Sequence, residues 1–178
     1  MSLEHPFEPV FDKNSSILIL GTFPSIKSRE YGFYYGHPQN RFWKILACVT
    51  RALQPHTIEG KKRLLLKNRI ALWDVLRSCD IKGSRDHAIQ NPVPVDLSSL
   101  LACTNITHIF ANGNKTFQML NKYYDIKVQQ KTTKLPSTSA ANARYKFEEL
   151  VSSWQCVAQA IVHSKSCSAY ARRCDANN

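Results

Sequence analysis

Two clusters near the start of the chain hold the side chains best suited to chemistry. The first, residues 21–25, reads Gly-Thr-Phe-Pro-Ser and directly follows an apolar run. The second, residues 36–43, reads Gly-His-Pro-Gln-Asn-Arg-Phe-Trp and begins fifteen positions after the first. Together they place an amide, an imidazole and aromatic rings around one loop, which suits the binding of a flat heteroaromatic ring. They contain neither the paired acids of a glycoside-cleaving site for free sugars nor metal-ligand spacing.

Apolar runs predict the elements that must carry these clusters. Residues 17–20 are continuously apolar, as expected of a strand covered on both faces. We expect further strands at residues 70–75, 107–111 and 126–130, and a polar loop at residues 77–96. We expect helices at residues 40–53, 57–68, 97–103 and 140–162, and one more that begins at residue 114. Because strands and helices alternate, the pattern predicts an α/β fold: a three-layer α/β/α sandwich with a central four-stranded, mainly parallel sheet.

Such a sheet also predicts where a ligand binds. In open α/β sheets, ligands bind beyond the carboxyl ends of the strands. Three clusters follow predicted strands, at residues 21–25, 112–113 and 135–139. We therefore expect these three loops to converge on one site.

Length and charge indicate the organisation and the partner. The 178 residues suit one domain, which we place at residues 1–163, with residues 164–178 as a flexible basic tail. Lys and Arg total 24 against 13 Asp and Glu, which gives a net charge of +11. This surplus favours a polyanionic partner through counterion release, although solubility alone is an alternative explanation.

Cysteine usage and hydropathy indicate the compartment. The six cysteines include no CxxC pair and are typical of reduced thiols in an intracellular protein. The sequence has no basic-then-apolar leader, and no apolar run approaches about 18 residues. We therefore expect neither secretion nor a membrane partner.

Four segments of the chain resemble the uracil-DNA glycosylase superfamily, most closely its hypoxanthine-DNA glycosylase branch. They are GTFPSIKSREYGFYYGHPQNRFW at 21–43, ALWDVL at 71–76, FANGNK at 110–115 and LPSTSAANAR at 135–144. The first segment is long and specific, whereas the others are short. The resemblance covers about residues 5–161 and implies a uracil-DNA glycosylase-like fold.

The resemblance implies a catalytic role for Asn40, because the hypoxanthine branch assigns catalysis to the Asn of the His-Pro-Gln-Asn stretch. Elsewhere in the superfamily, the loop after the first strand carries an Asp, Asn or Glu that positions water. Phe23 stands there in this chain, and a phenyl ring cannot orient or deprotonate water. Asn40 could supply an oxygen to orient water or an NH2 group to bind the base. From spacing alone, Asn40 also suits a helix cap.

Four further residues are candidates for binding the substrate. Phe23 and Tyr35 could stack on a base. His37 could donate to the base or to a phosphate, or could be structural. Asn112 could read the Watson–Crick edge of hypoxanthine, or could belong to an Asn-Gly turn. We interpret Asp74 as structural, because no His lies nearby in sequence.

Two loops are expected to contact DNA. The residues are Pro24, Ser25, Lys27, Pro136, Ser137, Thr138 and Ser139. The hydroxyls and backbone N–H groups of the second loop suit phosphates, and the same residues could instead cap the final helix. Leu135 stands where the superfamily motif carries a His, which argues against leaving-group stabilisation from this loop. Arg29, Lys44 and Arg144 could contact flanking phosphates or be solvated charges.

Together these features predict a monofunctional DNA glycosylase that excises hypoxanthine by hydrolysing the N-glycosidic bond, with base flipping, as the first step of base excision repair. No metal or organic cofactor is expected. The expected partner is DNA containing deaminated bases, bound by a monomer with no membrane partner, in the cytoplasm at the nucleoid if the source is prokaryotic. Two alternatives stay open: a uracil or mismatch-specific glycosylase, and a non-catalytic nucleic-acid-binding module.

Overall fold

The computed structural model describes residues 2–80 and 89–175, with side chains as far as residue 164. The strands are β1 (Ser2–Glu4), β2 (Ile17–Gly21), β3 (Ile70–Asp74), β4 (Leu76–Asp80), β5 (Gln90–Pro94), β6 (His108–Asn112) and β7 (Thr132–Leu135). The helices are α1 (Ile26–Tyr31), α2 (Phe42–Val49), α3 (Ile58–Lys67), α4 (Ser98–Ala102), α5 (Asn114–Tyr123), α6 (Ile126–Gln130) and α7 (Phe147–Asp175).

The central sheet has four strands in the order β3-β2-β6-β7, and each neighbouring pair is parallel. Strand β2 lies in the middle because its side chains are apolar on both faces and all are buried. Ile17 and Ile19 pack with α2, α3 and α7, whereas Leu18 and Leu20 pack with α4 and α5. The predicted three-layer sandwich with a parallel central sheet is therefore confirmed.

The prediction of a strand at residues 126–130 was wrong. This segment is helix α6, and the fourth strand is β7, which begins at Thr132. The alternating sequence Ile-Lys-Val-Gln-Gln resembles a strand, but Asp125 caps a helix by accepting a hydrogen bond from the Val128 N–H at 2.9 Å. Val128 is buried, whereas Ile126 is 62% exposed. A short apolar alternation therefore did not distinguish the two structures.

A second, three-stranded antiparallel sheet in the order β1-β4-β5 was not predicted. It uses both flanks of the predicted loop at residues 77–96, and residues 81–88 of that loop lie outside the described residues. Helix α7 begins at Phe147 and is described to Asp175, so the expected domain boundary at residue 163 falls within a helix. The flexible tail stays a prediction, and residues 176–178 lie outside the described residues.

The described cysteines Cys48, Cys79, Cys103 and Cys156 are free thiols. Burial raises the pKa of the Cys79 thiol to about 11 and also raises the pKa of Cys156. Both groups are therefore protonated and poorly nucleophilic at neutral pH. In the part of the chain that the structure describes, no helix combines the length and the apolar character needed to cross a membrane.

Trp154 of α7 connects the core to one of the site loops, and its replacement should be costly. The side chain is fully buried, its ring lies edge-on to Phe42 at 5.8 Å, and its Nε1 donates to the Pro136 carbonyl at 3.1 Å. Replacing Trp154 with Ala should reduce the free energy of unfolding by about 3–5 kcal/mol. Trp154→Phe, which keeps a ring but loses the hydrogen bond, should cost less.

Urea denaturation measures both losses. Leu53, which is 94% exposed, provides the control, because Leu53→Ala removes no buried contact. A Trp154→Ala protein as stable as the Leu53→Ala control would show that the described core packing is incorrect.

Candidate active site

A cleft of about 1140 Å³ lies where the carboxyl ends of the central strands meet. The loops after β2, β6 and β7 all line it, together with Tyr34, Tyr35, His37, Gln39 and Asn40. The structure therefore brings the three predicted clusters together. The connection through residues 32–36 is held to α1 by a hydrogen bond from the Gly36 N–H to Ser28 Oγ at 3.1 Å.

Asn40 lies in the wall of this cleft with its carbonyl oxygen already engaged. Asn40 Oδ1 accepts the backbone N–H of Phe42 at 3.0 Å and the hydroxyl of Thr138 at 3.0 Å. Since a backbone N–H needs an acceptor, these contacts also define which end of the carboxamide is oxygen. The contact with Phe42 satisfies a free N–H in the first turn of α2. The group of Asn40 left for a ligand is therefore Nδ2.

Asn112, at the end of β6, binds the loop after β7. Its Oδ1 accepts the Thr138 backbone N–H at 3.0 Å, and its Nδ2 donates to Thr138 Oγ1 at 3.0 Å. The threonine hydroxyl thus accepts from Asn112 and donates to Asn40, and the side chain of Thr138 is fully buried. Asn112 lines the cleft, but its carboxamide serves mainly to hold Thr138, and its role in base reading stays a prediction.

Arg41 is an organising residue that the sequence analysis missed. Its guanidinium donates to the carbonyl oxygens of Tyr145 at 2.7 Å, Ser139 at 2.8 Å and Asn142 at 2.9 Å. Its backbone N–H donates to the Thr138 carbonyl at 3.0 Å. Arginine has five N–H donors in a rigid fork, so one side chain can satisfy several carbonyls of an irregular loop. The available signal was an arginine directly before the apolar start of a predicted helix, in the second cluster at residues 36–43.

The loop after β7 has internal bonds as well. Ser137 Oγ accepts the Ser139 N–H at 3.2 Å, and the Ser137 carbonyl accepts Asn142 Nδ2 at 2.8 Å. Gly113 has a φ of 103°, and a Cβ there would lie 3.1 Å from the Ser137 Cβ, so this close approach requires glycine. The alternative prediction, in which residues 137–139 cap the final helix, was wrong because α7 begins at Phe147.

Aromatic rings form part of the cleft wall. Tyr35 stacks on Phe42 with the ring centroids 3.9 Å apart, and its backbone is in the left-handed region with a φ of 51°. Phe42 is itself fully buried in the core. Phe23 also lines the cleft, and its ring lies edge-on to His5 at 5.7 Å. Both predicted stacking residues are thus placed at the cleft.

His37 lines the cleft and has one defined tautomer when neutral. Its Nδ1 accepts the Gln39 backbone N–H at 3.1 Å. The ring proton of neutral His37 therefore resides on Nε2. This leaves His37 with a donor for a phosphate or a base.

The cations at the cleft differ from those predicted. Lys115, Lys134 and Arg144 line it, and only Arg144 was expected. Lys27 is not among the lining residues: its side chain is 57% exposed and pairs with Glu30 at 2.8 Å. Two further expected cations already have partners within the protein: Arg29 donates to the Pro24 carbonyl at 2.7 Å, and Lys44 lies 4.4 Å from the centre of the Phe147 ring. Pro24 and Ser25 line the cleft as expected.

Asp74, at the end of β3, also lines the cleft and has a histidine partner that the sequence did not reveal. His5 Nε2 lies 2.9 Å from Asp74 Oδ2, although the two residues are 69 positions apart. The neighbouring Tyr34 hydroxyl donates to the Glu8 carbonyl at 3.0 Å. Burial, followed by the Asp74 carboxylate, raises the pKa of Tyr34 far above its usual range, so this hydroxyl stays neutral.

The protein is thus a parallel α/β sandwich with a polar cleft, partly walled by aromatic rings, at the carboxyl ends of its strands. This is the class of α/β proteins that bind their ligands at the strand ends. The chain matches the family profile of the uracil DNA glycosylase superfamily over residues 8–161. It therefore belongs to the uracil DNA glycosylase superfamily, which confirms the resemblance seen in the sequence.

Individual relatives agree with this assignment. A "Hypoxanthine DNA glycosylase" of Methanosarcina acetivorans is 34% identical over 161 residues, which cover 87% of this chain and 98% of that protein. A protein of the same description from Methanosarcina barkeri is 34% identical over 143 residues, covering 78% and 87%. A solution NMR structure of a candidate uracil DNA glycosylase from Methanosarcina acetivorans is 34% identical, with a TM-score of 0.74, and covers 92% of this chain and 100% of that chain.

Replacing Arg41 with Lys should release the loop at residues 138–145, because an ammonium group cannot bond three separated carbonyls at once. We expect faster amide hydrogen exchange in that loop, and we expect the stability of the central sheet to change little. Exchange measured by mass spectrometry reports both regions. Arg63→Lys, at an exposed position of α3, is the matched control, and equal loop exchange in the two variants would contradict the role of Arg41.

Proposed function

We propose that this protein is a monofunctional DNA glycosylase that hydrolyses the N-glycosidic bond of deoxyinosine and releases hypoxanthine, which initiates base excision repair. The observation that carries the proposal is the Asn40 carboxamide, whose oxygen is bound on both sides so that Nδ2 is left for a ligand in the cleft. The superfamily and the hypoxanthine-specific descriptions of both archaeal relatives support the choice of reaction and base.

The chemistry requires the target base to leave the duplex, because its glycosidic bond is inaccessible inside the stack. Phe23 and Tyr35 supply aromatic faces on which an extruded purine can stack, a contact that contributes about 1–3 kcal/mol per base. As the bond breaks, negative charge develops on the departing base and positive charge on the sugar. Asn40 Nδ2 donates to an acceptor atom of the base and stabilises the first of these charges.

DNA on either side of the extruded nucleotide would lie along the loops that rim the cleft. The rims are formed by Pro24, Ser25 and residues 136–139, and the described part of the chain adds the cations Lys115, Lys134 and Arg144 at the same opening. We propose that these cations bind flanking phosphates of the DNA. We further propose that the protein acts as a monomer and works at the chromosome, in the cytoplasm if its source is prokaryotic.

A panel of oligonucleotides tests the base specificity. Single- and double-stranded substrates carrying deoxyinosine, deoxyuridine or a normal base are incubated with the protein, and abasic sites are then cleaved with alkali. We expect cleavage at deoxyinosine. Cleavage confined to deoxyuridine would favour the uracil-specific alternative, and cleavage of none would favour the non-catalytic module. Because Lys115 and Lys134 line the cleft, borohydride trapping should also be performed, and a covalent adduct would contradict monofunctional hydrolysis.

Replacing Asn40 with Ala should lower the single-turnover rate of hypoxanthine release by about 10²–10³-fold, as is usual when one donor to a developing charge is removed. The affinity for deoxyinosine DNA should change little, because Asn112 and Arg41 still hold the loop at residues 136–139 after the Asn40 contact is lost. Gln118→Ala, at an exposed position of α5, is the control. An unchanged rate of hypoxanthine release in Asn40→Ala would show that Asn40 has no catalytic role.

Replacing Lys134 with Ala should weaken binding to all DNA sequences alike and reduce the dependence of log Kobs on log salt by about one unit, as expected for one lost phosphate contact. Fluorescence anisotropy across a salt series measures both effects. Lys127→Ala is the matched control, because Lys127 is exposed on α6 and precedes β7 at the opposite end of that strand. Identical salt slopes for the two variants would show that Lys134 does not contact a DNA phosphate.

A further inference from the structure

A buried histidine–carboxyl pair in the cleft has no part in the roles proposed so far. The side chains of His5 and Asp74 are 4% and 6% exposed, and His5 Nε2 lies 2.9 Å from Asp74 Oδ2. Asp74 ends β3 and is the register partner of Gly21, which ends β2. The pair therefore lies where the two strands meet the cleft. Among the described residues that line this cleft, Asp74 is the one carboxylate.

The two oxygens of Asp74 have different surroundings. Oδ2 faces His5, whereas Oδ1 lies over the Cα of Gly21. A Cβ at residue 21 would overlap Asp74 Oδ1 and would approach the Tyr35 hydroxyl oxygen to 2.8 Å. Glycine at this position thus provides the space in which the carboxylate and the tyrosine lie beside the cleft. The buried carboxyl group of Asp74 therefore leaves no room for a side chain at residue 21.

The hydrogen bonds of His5 define its proton position. Its Nδ1 accepts the Phe7 backbone N–H at 3.1 Å, so the ring proton resides on Nε2 and is donated to Asp74. The His5 ring is also packed edge-on against Phe7 and Phe23, both at 5.7 Å. An imidazole held by two hydrogen bonds and two rings has one orientation, and it orients the carboxyl group in turn.

We propose that Asp74 is a catalytic residue that orients and deprotonates the attacking water, and that His5 is the positioning residue that holds Asp74. The proposal deepens the proposed glycosylase function and rests on it. Neither of the neighbouring candidates can take this part: Phe23 has no polar atom, and Asn40 Oδ1 already accepts two hydrogen bonds. A buried carboxylate also stabilises the positive charge that develops on the deoxyribose, since its field is weakly screened there.

Hydrolysis replaces the bond from the sugar to the base with a bond from the sugar to the water oxygen. The water oxygen forms a bond to C1′ of the sugar, and the electron pair of the C1′–N9 bond leaves with hypoxanthine. Asp74 accepts one proton from the water and then releases it to solvent, and the departing base anion takes up one proton from solvent. The products are neutral hypoxanthine and an abasic sugar with a hydroxyl at C1′, with Asp74 again ionised.

Asp74→Asn is the direct test, because it keeps the shape of the side chain and removes its charge and basicity. The single-turnover rate of hypoxanthine release should fall by about 100-fold or more, which is the usual contribution of a general base. The Kd for deoxyinosine DNA, measured with the same protein, should change little. Glu59→Gln, at an exposed position of α3, is the control. A rate equal to that of the control, or a loss confined to Kd, would overturn the proposal.

His5 provides a second test that does not alter the catalytic group. His5→Leu removes the donor and should slow release, whereas His5→Gln can donate again from its amide and should recover a large part of the lost rate. If the role of His5 were purely structural, the release rates of both variants would instead correlate with their thermal stability. If Asp74→Asn fails to fold, this pair decides the question, and equal rates for the parent, His5→Leu and His5→Gln overturn the proposal.

The activity of the parent protein and of the Asn40→Ala variant distinguishes failure of the glycosylase function from failure of the Asp74 role. If the parent protein releases no hypoxanthine, the proposed function fails, and the inference about Asp74 fails with it. If the parent releases hypoxanthine and Asn40→Ala does not, yet Asp74→Asn does so at the parent rate, then only the role of Asp74 is lost.

Discussion

The arrangement of the site depends on the two hydrogen bonds of the Thr138 hydroxyl group. A hydroxyl has one proton to donate, and here it goes to Asn40 while the oxygen accepts from Asn112. Because the backbone N–H of Thr138 is also bound to Asn112, the direction of the whole chain of hydrogen bonds is defined. The connection between α1 and α2, the end of β6 and the loop after β7 are thereby joined inside a buried volume. An unmade hydrogen bond there would cost about 1–3 kcal/mol.

The same constraint explains why the surrounding groups are arranged as they are. Arg41 satisfies the carbonyls of the irregular loop that Thr138 anchors, so this loop can present its outer surface without regular secondary structure. Glycines at positions 21 and 113 admit the close approach of Asp74 and Ser137. The aromatic stack of Tyr35 on Phe42 then links the cleft wall to the core. A rigid frame of this kind favours a reaction that depends on positioning.

The parts of the fold that were predictable are those in which one segment determines its own environment. The run at residues 17–20 is apolar on both faces, so it had to be a central strand, and the alternation of elements required a parallel sheet. The prediction for residues 126–130 failed because a short alternating run fits a strand and a capped helical turn equally well. The side chain of Asp125 favours the helix, since it caps the helix by accepting the Val128 N–H. The small sheet of β1, β4 and β5 was missed because β1 has only three residues and β5 is polar and contains two prolines, so both segments resemble loops.

What the sequence determined by itself was the family, the parallel sheet and the edge at which the motifs meet, because each follows from local patterns of residue type and spacing. Only the tertiary structure decided which atoms of those motifs are free. Three features depend on long-range contacts: the pairing of His5 with Asp74, the hydrogen bonds of Arg41 to a loop about a hundred positions away, and the bond from Thr138 to the Asn40 amide. Hydrogen bonds require particular distances and angles between groups, and no local sequence pattern specifies these for residues far apart in the chain.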